Sequence, residues 1–203
     1  MERKIKMSKK IVAFAGKAQT GKSFRCNQLV KQGNYKQLAF ADALRRIAFT
    51  SLGIKVEDGM KHYEWMKTNP CVCVTFEDGS EHKVTFRKYL EFMGTEGVRH
   101  YDNDFWAKCL LKDIDDTPED MNVCVEDLRF YNEYKHLKEY CDKKGYDFSF
   151  IFCDYHSEGY QEFNQHASAR LANFLKEIGY TDGDEIKDED MQIYIESMDA
   201  LIK

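Results

Sequence analysis

One eight-residue segment constrains this chain more than any other. Its members are Gly16, Lys17, Ala18, Gln19, Thr20, Gly21, Lys22 and Ser23. They match the pattern G-x-x-x-x-G-K-[ST] in full. A short apolar run at 11–15 precedes the segment, and residues 24–32 are typical of a helix that stops at Gly33. Since a strand, a glycine loop and a helix follow one another in this order, the sequence predicts a phosphate-binding loop (P-loop).

The spacing of this loop has a chemical reason. Gly16 and Gly21 let successive backbone N–H groups point inward, and the positive end of the helix dipole strengthens their field. Lys22 can then reach the β- and γ-phosphates, and the Ser23 hydroxyl can ligate a Mg²⁺ ion that bridges them. ATP and Mg²⁺ are therefore the expected cofactors, with all eight loop residues binding the nucleotide.

Length and charge limit the other classes of function. The 203 residues are expected to form one domain, and the net charge of −5 argues against a general nucleic-acid binder. No apolar stretch approaches the roughly 20 residues of a membrane span, so we expect a cytoplasmic protein. The seven cysteines are an odd number, which favours buried thiols in a reducing compartment. Cys71 and Cys73 could begin a metal site, but no second pair follows at zinc spacing, so packing is preferred.

The apolar pattern predicts an α/β fold, namely a P-loop NTPase three-layer sandwich with a central parallel sheet. The run at 147–154 is apolar throughout, which is typical of a central strand. Segments 71–76 and 82–86 alternate and are joined by a turn, which indicates a β-hairpin. Such a hairpin does not belong in a parallel sheet, so we place it in a substrate-side insertion at about 57–92. Four residues there, Trp65, Met66, Tyr89 and Phe92, could line a pocket or pack the insertion, and packing is favoured.

Charged residues cluster where these elements end. Asp42 is expected to be the N-cap of a helix that carries Arg45 and Arg46, which could face a ligand or solvent. The segment 94–97 interrupts a helical pattern and places Arg99 at the start of the next helix.

The apolar run 122–130 ends in acidic residues. Asp127 is the natural Mg²⁺ partner of Ser23, with Glu126 as the competing choice. If the strand continues, Arg129 points the same way as Asp127. Residues 155–170 could be a mobile lid with Arg170 at its base, or an ordinary loop, and no final strand is evident after Asp154.

The arginines suggest the kind of acceptor. The chain has only eight, and at least four lie beside predicted strand ends or loop breaks. A phosphate monoester has a second pKa near 6, so it already carries a nucleophilic oxyanion at neutral pH and needs positive charge more than a base. This distribution favours a monophosphate acceptor.

Three runs, FADALRR, LEFMGTEGVR with the following DNDFW, and VCVEDLRFYNE, together resemble the deoxynucleoside monophosphate kinases of bacteriophages, within the P-loop nucleoside monophosphate kinase superfamily. The resemblance spans roughly 11–133 and lies in the ordered set of runs. One position departs from it, because the phage enzymes often have an acidic residue where this chain has Ser23.

The resemblance implies transfer of the ATP γ-phosphate to a deoxynucleoside 5′-monophosphate, in the host cytoplasm if the chain is phage-encoded. No nucleic-acid polymer or membrane partner is expected, and a homodimer is compatible with it. It implies catalytic roles for Lys22, Arg99, Asp127 and Arg129, whereas the nucleotide contact expected for Arg170 comes from its place at the base of the possible lid. The implied acceptor-side residues are Arg45, Gly94, Thr95, Arg99 and Trp106. Glu133 is placed between the donor and the acceptor, and Asp42 is a further candidate for substrate binding.

Two other functions remain open. One is a kinase for another small phosphomonoester, such as phosphomevalonate. The other is a non-catalytic nucleotide-binding switch, although the chain has no Asn-Lys-x-Asp guanine motif.

Overall fold

The computed structural model of the chain describes residues 8–155 and 170–202, with side chains up to Ser197. The strands are β1 Lys10–Ala15, β2 Tyr35–Leu38, β3 Pro70–Thr75, β4 Glu81–Thr85, β5 Asn122–Leu128 and β6 Asp147–Phe152. The α-helices are α1 Lys22–Lys31, α2 Ala41–Ser51, α3 Val56–Lys61, α4 Tyr63–Thr68, α5 Phe86–Glu91, α6 Arg99–Tyr101, α7 Phe105–Asp115, α8 Tyr131–Lys144, α9 Arg170–Glu177 and α10 Asp188–Ile202. A π-helix, Phe92–Val98, joins α5 to α6.

The chain divides into two compact units. The first contains the residues before Ala41 and after Trp106, and the second is Ala41–Trp106. The predicted insertion at 57–92 falls inside the second unit. None of the described helices is long and apolar enough to span a bilayer.

The first unit is built on a parallel sheet with the strand order β2-β5-β1-β6, flanked by helices. This confirms the predicted α/β class and the central parallel sheet. Apolar side chains on the strands, such as Ile11, Val123 and Phe150, are buried against helical residues that include Leu137 and Leu175. Burial of these side chains on both faces explains why the strands are apolar with little alternation.

The place predicted for β6 needs correction. Its run is apolar, yet β6 is the last strand of the parallel sheet rather than a central one. Its outer edge is covered by residues 183–186, where Gly183 N–H donates to Phe152 O at 2.8 Å and Phe152 N–H donates to Asp184 O at 2.9 Å. An antiparallel bridge between Ile151 and Glu185 extends this pairing. The covered edge accounts for the apolar sequence, and the short segment is the sheet element that the sequence after Asp154 does not reveal.

The second unit has the predicted β-hairpin. Strands β3 and β4 pair antiparallel, and Val72 lies opposite Val84. Behind them, the rings of Phe49 and Phe86 stack with centroids 4.4 Å apart. Met66 is buried in this cluster and Tyr89 packs against it, as the packing alternative predicts, whereas Trp65 is 58% exposed.

The predicted helix break at 94–97 does not occur. Instead the helix widens into the π-helix and continues without a break into α6, so Arg99 lies near the end of one continuous helical run. Gly94 lets the π-helix pack closely against α2, because a Cβ atom there would lie 2.7 Å from Leu44 Cδ2. π-Helical turns are uncommon and are found often at functional sites.

Candidate functional site

The glycine loop, residues 16–23, leaves β1 after Ala15 and enters α1 at Lys22. Gly16 has φ +150°, and a Cβ atom there would lie 2.2 Å from Cys153 O and 2.6 Å from Thr20 Oγ1. Gly21 has φ +84°, a left-handed conformation that favours glycine. Both glycines of the pattern are therefore required by the backbone of this turn.

The loop closes around the side chain of Lys22. This side chain is buried, and its Nζ donates to Gly16 O at 2.8 Å and also to Lys17 O. Thr20 Oγ1 donates to the same Lys17 carbonyl at 2.9 Å, and Thr20 has no exposed surface. A positive charge is thus fixed at the centre of the loop and at the start of a helix, two features that favour bound anions.

Burial, together with a smaller effect of the nearby positive charge of Arg129, lowers the pKa of Lys22 to about 8. Asp127 and Glu126 act in the opposite sense, because their carboxylates favour the charged ammonium. Arg129 and the two carboxylates therefore each lie close enough to Lys22 to influence its charge. This brings together three of the predicted catalytic residues.

The two carboxylates lie at an irregularity in β5. Ala13 pairs with Val125, but Ala15 pairs with Leu128, so β5 carries one extra residue at this point. Such a bulge redirects side chains and ends the regular alternation of the strand. The expectation that Arg129 points with Asp127 assumed that alternation, and it does not hold because β5 ends at Leu128.

Each carboxylate accepts a hydrogen bond from the β2 side of the sheet. Asp127 Oδ1 accepts the backbone N–H of Phe40 at 2.7 Å, and Glu126 Oε2 accepts Gln37 Nε2 at 2.7 Å. The exposed Ser23 hydroxyl and these two carboxylates offer the oxygen ligands that Mg²⁺ prefers. The residues present fit a magnesium ion chemically, and both carboxylates remain candidates. The role of Gln37 gave no signal in the sequence.

Glu133 has a structural role that the sequence analysis missed. Its side chain is 2% exposed and accepts the backbone N–H groups of Arg129 and Phe130 at 2.9 and 3.1 Å. These contacts fix the turn from β5 into α8, where Arg129 lies. The sequence could have indicated this role, because a glutamate at the third position of a helix commonly caps its start.

In the second unit, Arg45 forms an ion pair with Asp42. Its Nη2 donates to Asp42 Oδ1 at 2.7 Å, and its guanidinium lies 5.4 Å from the ring centroid of Tyr63. Burial opposes the charge on Arg45, but the carboxylate of Asp42 outweighs it, so the pKa of Arg45 is raised. Helix α2 begins at Ala41, so Asp42 lies in its first turn and is not the predicted N-cap. Asp42 holds Arg45 instead, and Tyr63 is a neighbour that the sequence did not indicate.

Three predicted acceptor-side residues are linked through one carbonyl group. Gly94 O accepts the backbone N–H of Arg99 across the π-turn and the indole N–H of Trp106 at 3.0 Å. Trp106 is only 3% exposed, which leaves its ring almost no surface for a ligand. Its contribution is to fix the turn that carries Gly94 and Thr95. The Arg99 Nη1 atom donates to Asn103 O at 3.3 Å.

Some predictions are not supported by the structure, and others concern residues outside the described ones. The predicted lid at 155–170 lies outside the described residues except for its two ends, Tyr155 and Arg170, and Arg170 is an exposed residue at the start of α9. Cys71 and Cys73 are exposed on β3, so the prediction that they pack in an interior is wrong. Among the described residues, no group of three or more His, Cys, Asp or Glu side chains could hold a metal ion by itself.

Comparison of the chain with protein-family models and with curated protein sequences finds no match.

Proposed function

We propose that this protein is a kinase that transfers the γ-phosphate of ATP to a deoxynucleoside 5′-monophosphate. The observation that carries the proposal is the enclosed ammonium of Lys22, which lies inside a glycine loop at a helix start with Arg129 and two carboxylates nearby. An enclosed cation of this kind is suited to a polyanion that displaces the loop carbonyls as its partners. The resemblance in the sequence supplies the acceptor class.

In this proposal the donor triphosphate binds along the glycine loop. The backbone N–H groups and Lys22 hold the β- and γ-phosphate oxygens, and Arg129 neutralises charge that develops during transfer. Glu133 acts as a positioning residue, because its two hydrogen bonds fix the backbone beside Arg129.

The acceptor phosphate is assigned to Arg45 and Arg99. The Asp42 ion pair keeps the Arg45 guanidinium charged and oriented, which suits a planar contact with phosphate. An oxygen of the acceptor phosphate forms a bond to the γ-phosphorus while the bond from that phosphorus to the bridging oxygen breaks, and ADP leaves. Because the acceptor is already an oxyanion at neutral pH, no general base is required.

Magnesium fits this arrangement through Ser23 together with Asp127 or Glu126. When bound, it would neutralise charge on the triphosphate and orient its oxygens.

A coupled assay of ADP formation tests the proposal. The purified chain is given ATP, Mg²⁺ and one acceptor at a time from a panel of deoxynucleoside and ribonucleoside monophosphates and phosphomevalonate. We expect ADP only with a nucleoside monophosphate, and faster with a deoxyribose acceptor. ADP formed only with phosphomevalonate, or at an equal rate without any acceptor, would contradict the proposal.

Matched arginine variants sharpen the assay. Arg45→Ala and Arg99→Ala should raise the KM for the acceptor by about 10-fold or more and leave the KM for ATP nearly unchanged. Arg87→Ala provides a control, because Arg87 is an exposed residue of α5 that we assign no role. An unchanged acceptor KM in both variants would remove them from the acceptor site.

A further inference from the structure

A groove of about 490 Å³ lies beside the glycine loop in the first unit. It is lined by loop residues, by one face of α1 and by residues that follow β6, namely Gln19, Gly21, Phe24, Arg25, Gln28, Tyr155 and Asp182. This volume is within the range of small-molecule sites, which run from about 300 to 1,000 Å³.

Two aromatic rings form the walls of the groove. The side chains of Phe24 and Tyr155 are 65% and 60% exposed, although large aromatic residues are usually buried. Tyr155 lies next to the loop, since a Cβ atom on Gly21 would be 3.7 Å from Tyr155 Cβ. Exposed aromatic faces that flank a groove are suited to stacking on a nucleobase.

The charged residues of the groove already bind each other. Arg25 Nη2 donates to Asp182 Oδ2 at 2.8 Å, and Asp182 Oδ1 accepts the backbone N–H of Asp154 at 3.0 Å. Because the ion pair with Arg25 offsets the charge of Asp182, this carboxylate is a weaker acceptor for the N–H groups by which guanine would be selected. These contacts therefore shape the groove and do not favour one purine.

Apart from the Tyr155 hydroxyl, the uncharged polar groups on the side chains of the groove are amides. Gln28 lies one helical turn after Phe24, and Gln19 lies in the loop itself. A glutamine side chain offers both a donor and an acceptor and can rotate to exchange them. Such an edge can pair with either adenine or guanine.

We propose that this groove holds the purine base of the donor nucleotide between Phe24 and Tyr155, and that it accepts adenine and guanine alike. The inference rests on the proposed function, which puts the triphosphate in the loop where the groove begins. The base of the same nucleotide is then the group that reaches the aromatic walls.

Equilibrium binding of three ligands tests the inference. ATP, GTP and inorganic tripolyphosphate, which has no base, are titrated against the wild type, Phe24→Ala, Tyr155→Ala and Lys22→Ala. We expect ATP and GTP to bind the wild type with affinities within about fivefold of each other. Phe24→Ala and Tyr155→Ala should each weaken both nucleotides by about 5- to 100-fold and leave tripolyphosphate within about twofold of the wild type.

The control variant is Phe76→Ala. Phe76 is another exposed phenylalanine, 46% exposed, and it lies just after β3 in the second unit. Binding of all three ligands should be unchanged in this variant.

The ligands separate failure of the inference from failure of the proposed function. If Lys22→Ala weakens all three ligands while the two aromatic variants bind ATP and GTP normally, the groove is not the base site. A preference of more than about fivefold for one purine overturns the claim of equal acceptance. If tripolyphosphate does not bind, or binds equally well to Lys22→Ala, the loop is not a phosphate site and the proposed function fails as well.

Discussion

The sharpest prediction concerns the protonation of Lys22. Its pKa is lowered from the ordinary value of 10.5 to about 8, mainly because the ammonium is buried. A triphosphate bound in the loop would stabilise the charged form and return the pKa towards 10.5. Binding and protonation of Lys22 are therefore coupled.

The magnitude follows from the two pKa values. Their difference, 10.5 − 8, corresponds to about 3.4 kcal/mol of coupling at 1.36 kcal/mol per pH unit. Below pH 8 the free protein already carries the proton, so affinity should be nearly constant. At pH 9 only about a tenth of the free molecules are protonated, so the Kd for ATP should be about tenfold higher than at pH 7.

Isothermal titration calorimetry in buffers of different ionisation enthalpy measures both effects. Uptake of protons on ATP binding should be about half a proton at pH 8 and about nine-tenths at pH 9. Lys22→Ala is the control, because it should bind weakly with no pH dependence between 7 and 9. A constant Kd over this range, or the same dependence in Lys22→Ala, would refute the reasoning about the buried ammonium.

Three further predictions address the loop, the π-turn and the strand-end carboxylate. Gly16→Ala should lower the free energy of unfolding by about 3 kcal/mol. Gly33→Ala should lower it by only about 1 kcal/mol, because Gly33 has a positive φ but no atom within 4 Å of an added Cβ. Equal losses in urea unfolding would show that the contact with Cys153 O is unimportant. Trp106→Phe should lower the free energy of unfolding by about 1–3 kcal/mol, because it removes the indole donor to the carbonyl of the buried Gly94. Trp65→Phe, at an exposed position, should change the stability little. Equal losses in the two variants would contradict the role of this hydrogen bond. Asp127→Asn keeps an acceptor for Phe40 N–H but loses the negative charge. Turnover should therefore fall about 100-fold, and the pKa of Lys22 should decrease further. If the pH midpoint of ATP binding did not move downward, Asp127 would not act on Lys22.

The parts of the fold that depend on local sequence were predictable. The run into Gly16, the helix that follows Lys22 and the β3–β4 hairpin are specified within a few residues, by glycine positions and by apolar periodicity. Their predicted bounds agree with the observed ones to within a few residues.

The features that depend on distant residues were not predictable. The glycines of segment 94–97 predict a helix break because glycine is a poor helix former, but the chain stays helical there, with Gly94 O bonded to the indole of Trp106 and Gly94 packed against Leu44. Likewise, the apolar run of β6 gave no sign that residues 183–186 would cover its edge.

The candidate site shows the same division. The glycine loop around Lys22 follows from its pattern, whereas the bulge in β5 that changes the alternation at Asp127 arises from the pairing of β5 with β1. The sequence of β5 does not reveal this bulge, because the alternation of apolar residues ends at that point in any case.

The central claim is phosphoryl transfer, and a transfer experiment with γ-labelled ATP tests it most directly. The wild type and Lys22→Ala are each incubated with labelled ATP, Mg²⁺ and an equimolar mixture of deoxynucleoside monophosphates, and the products are separated. The account predicts that label appears in a deoxynucleoside diphosphate in an amount equal to the ADP formed, and that Lys22→Ala reduces the rate by several powers of ten. Label found only in free phosphate, or an equal rate in Lys22→Ala, would contradict it.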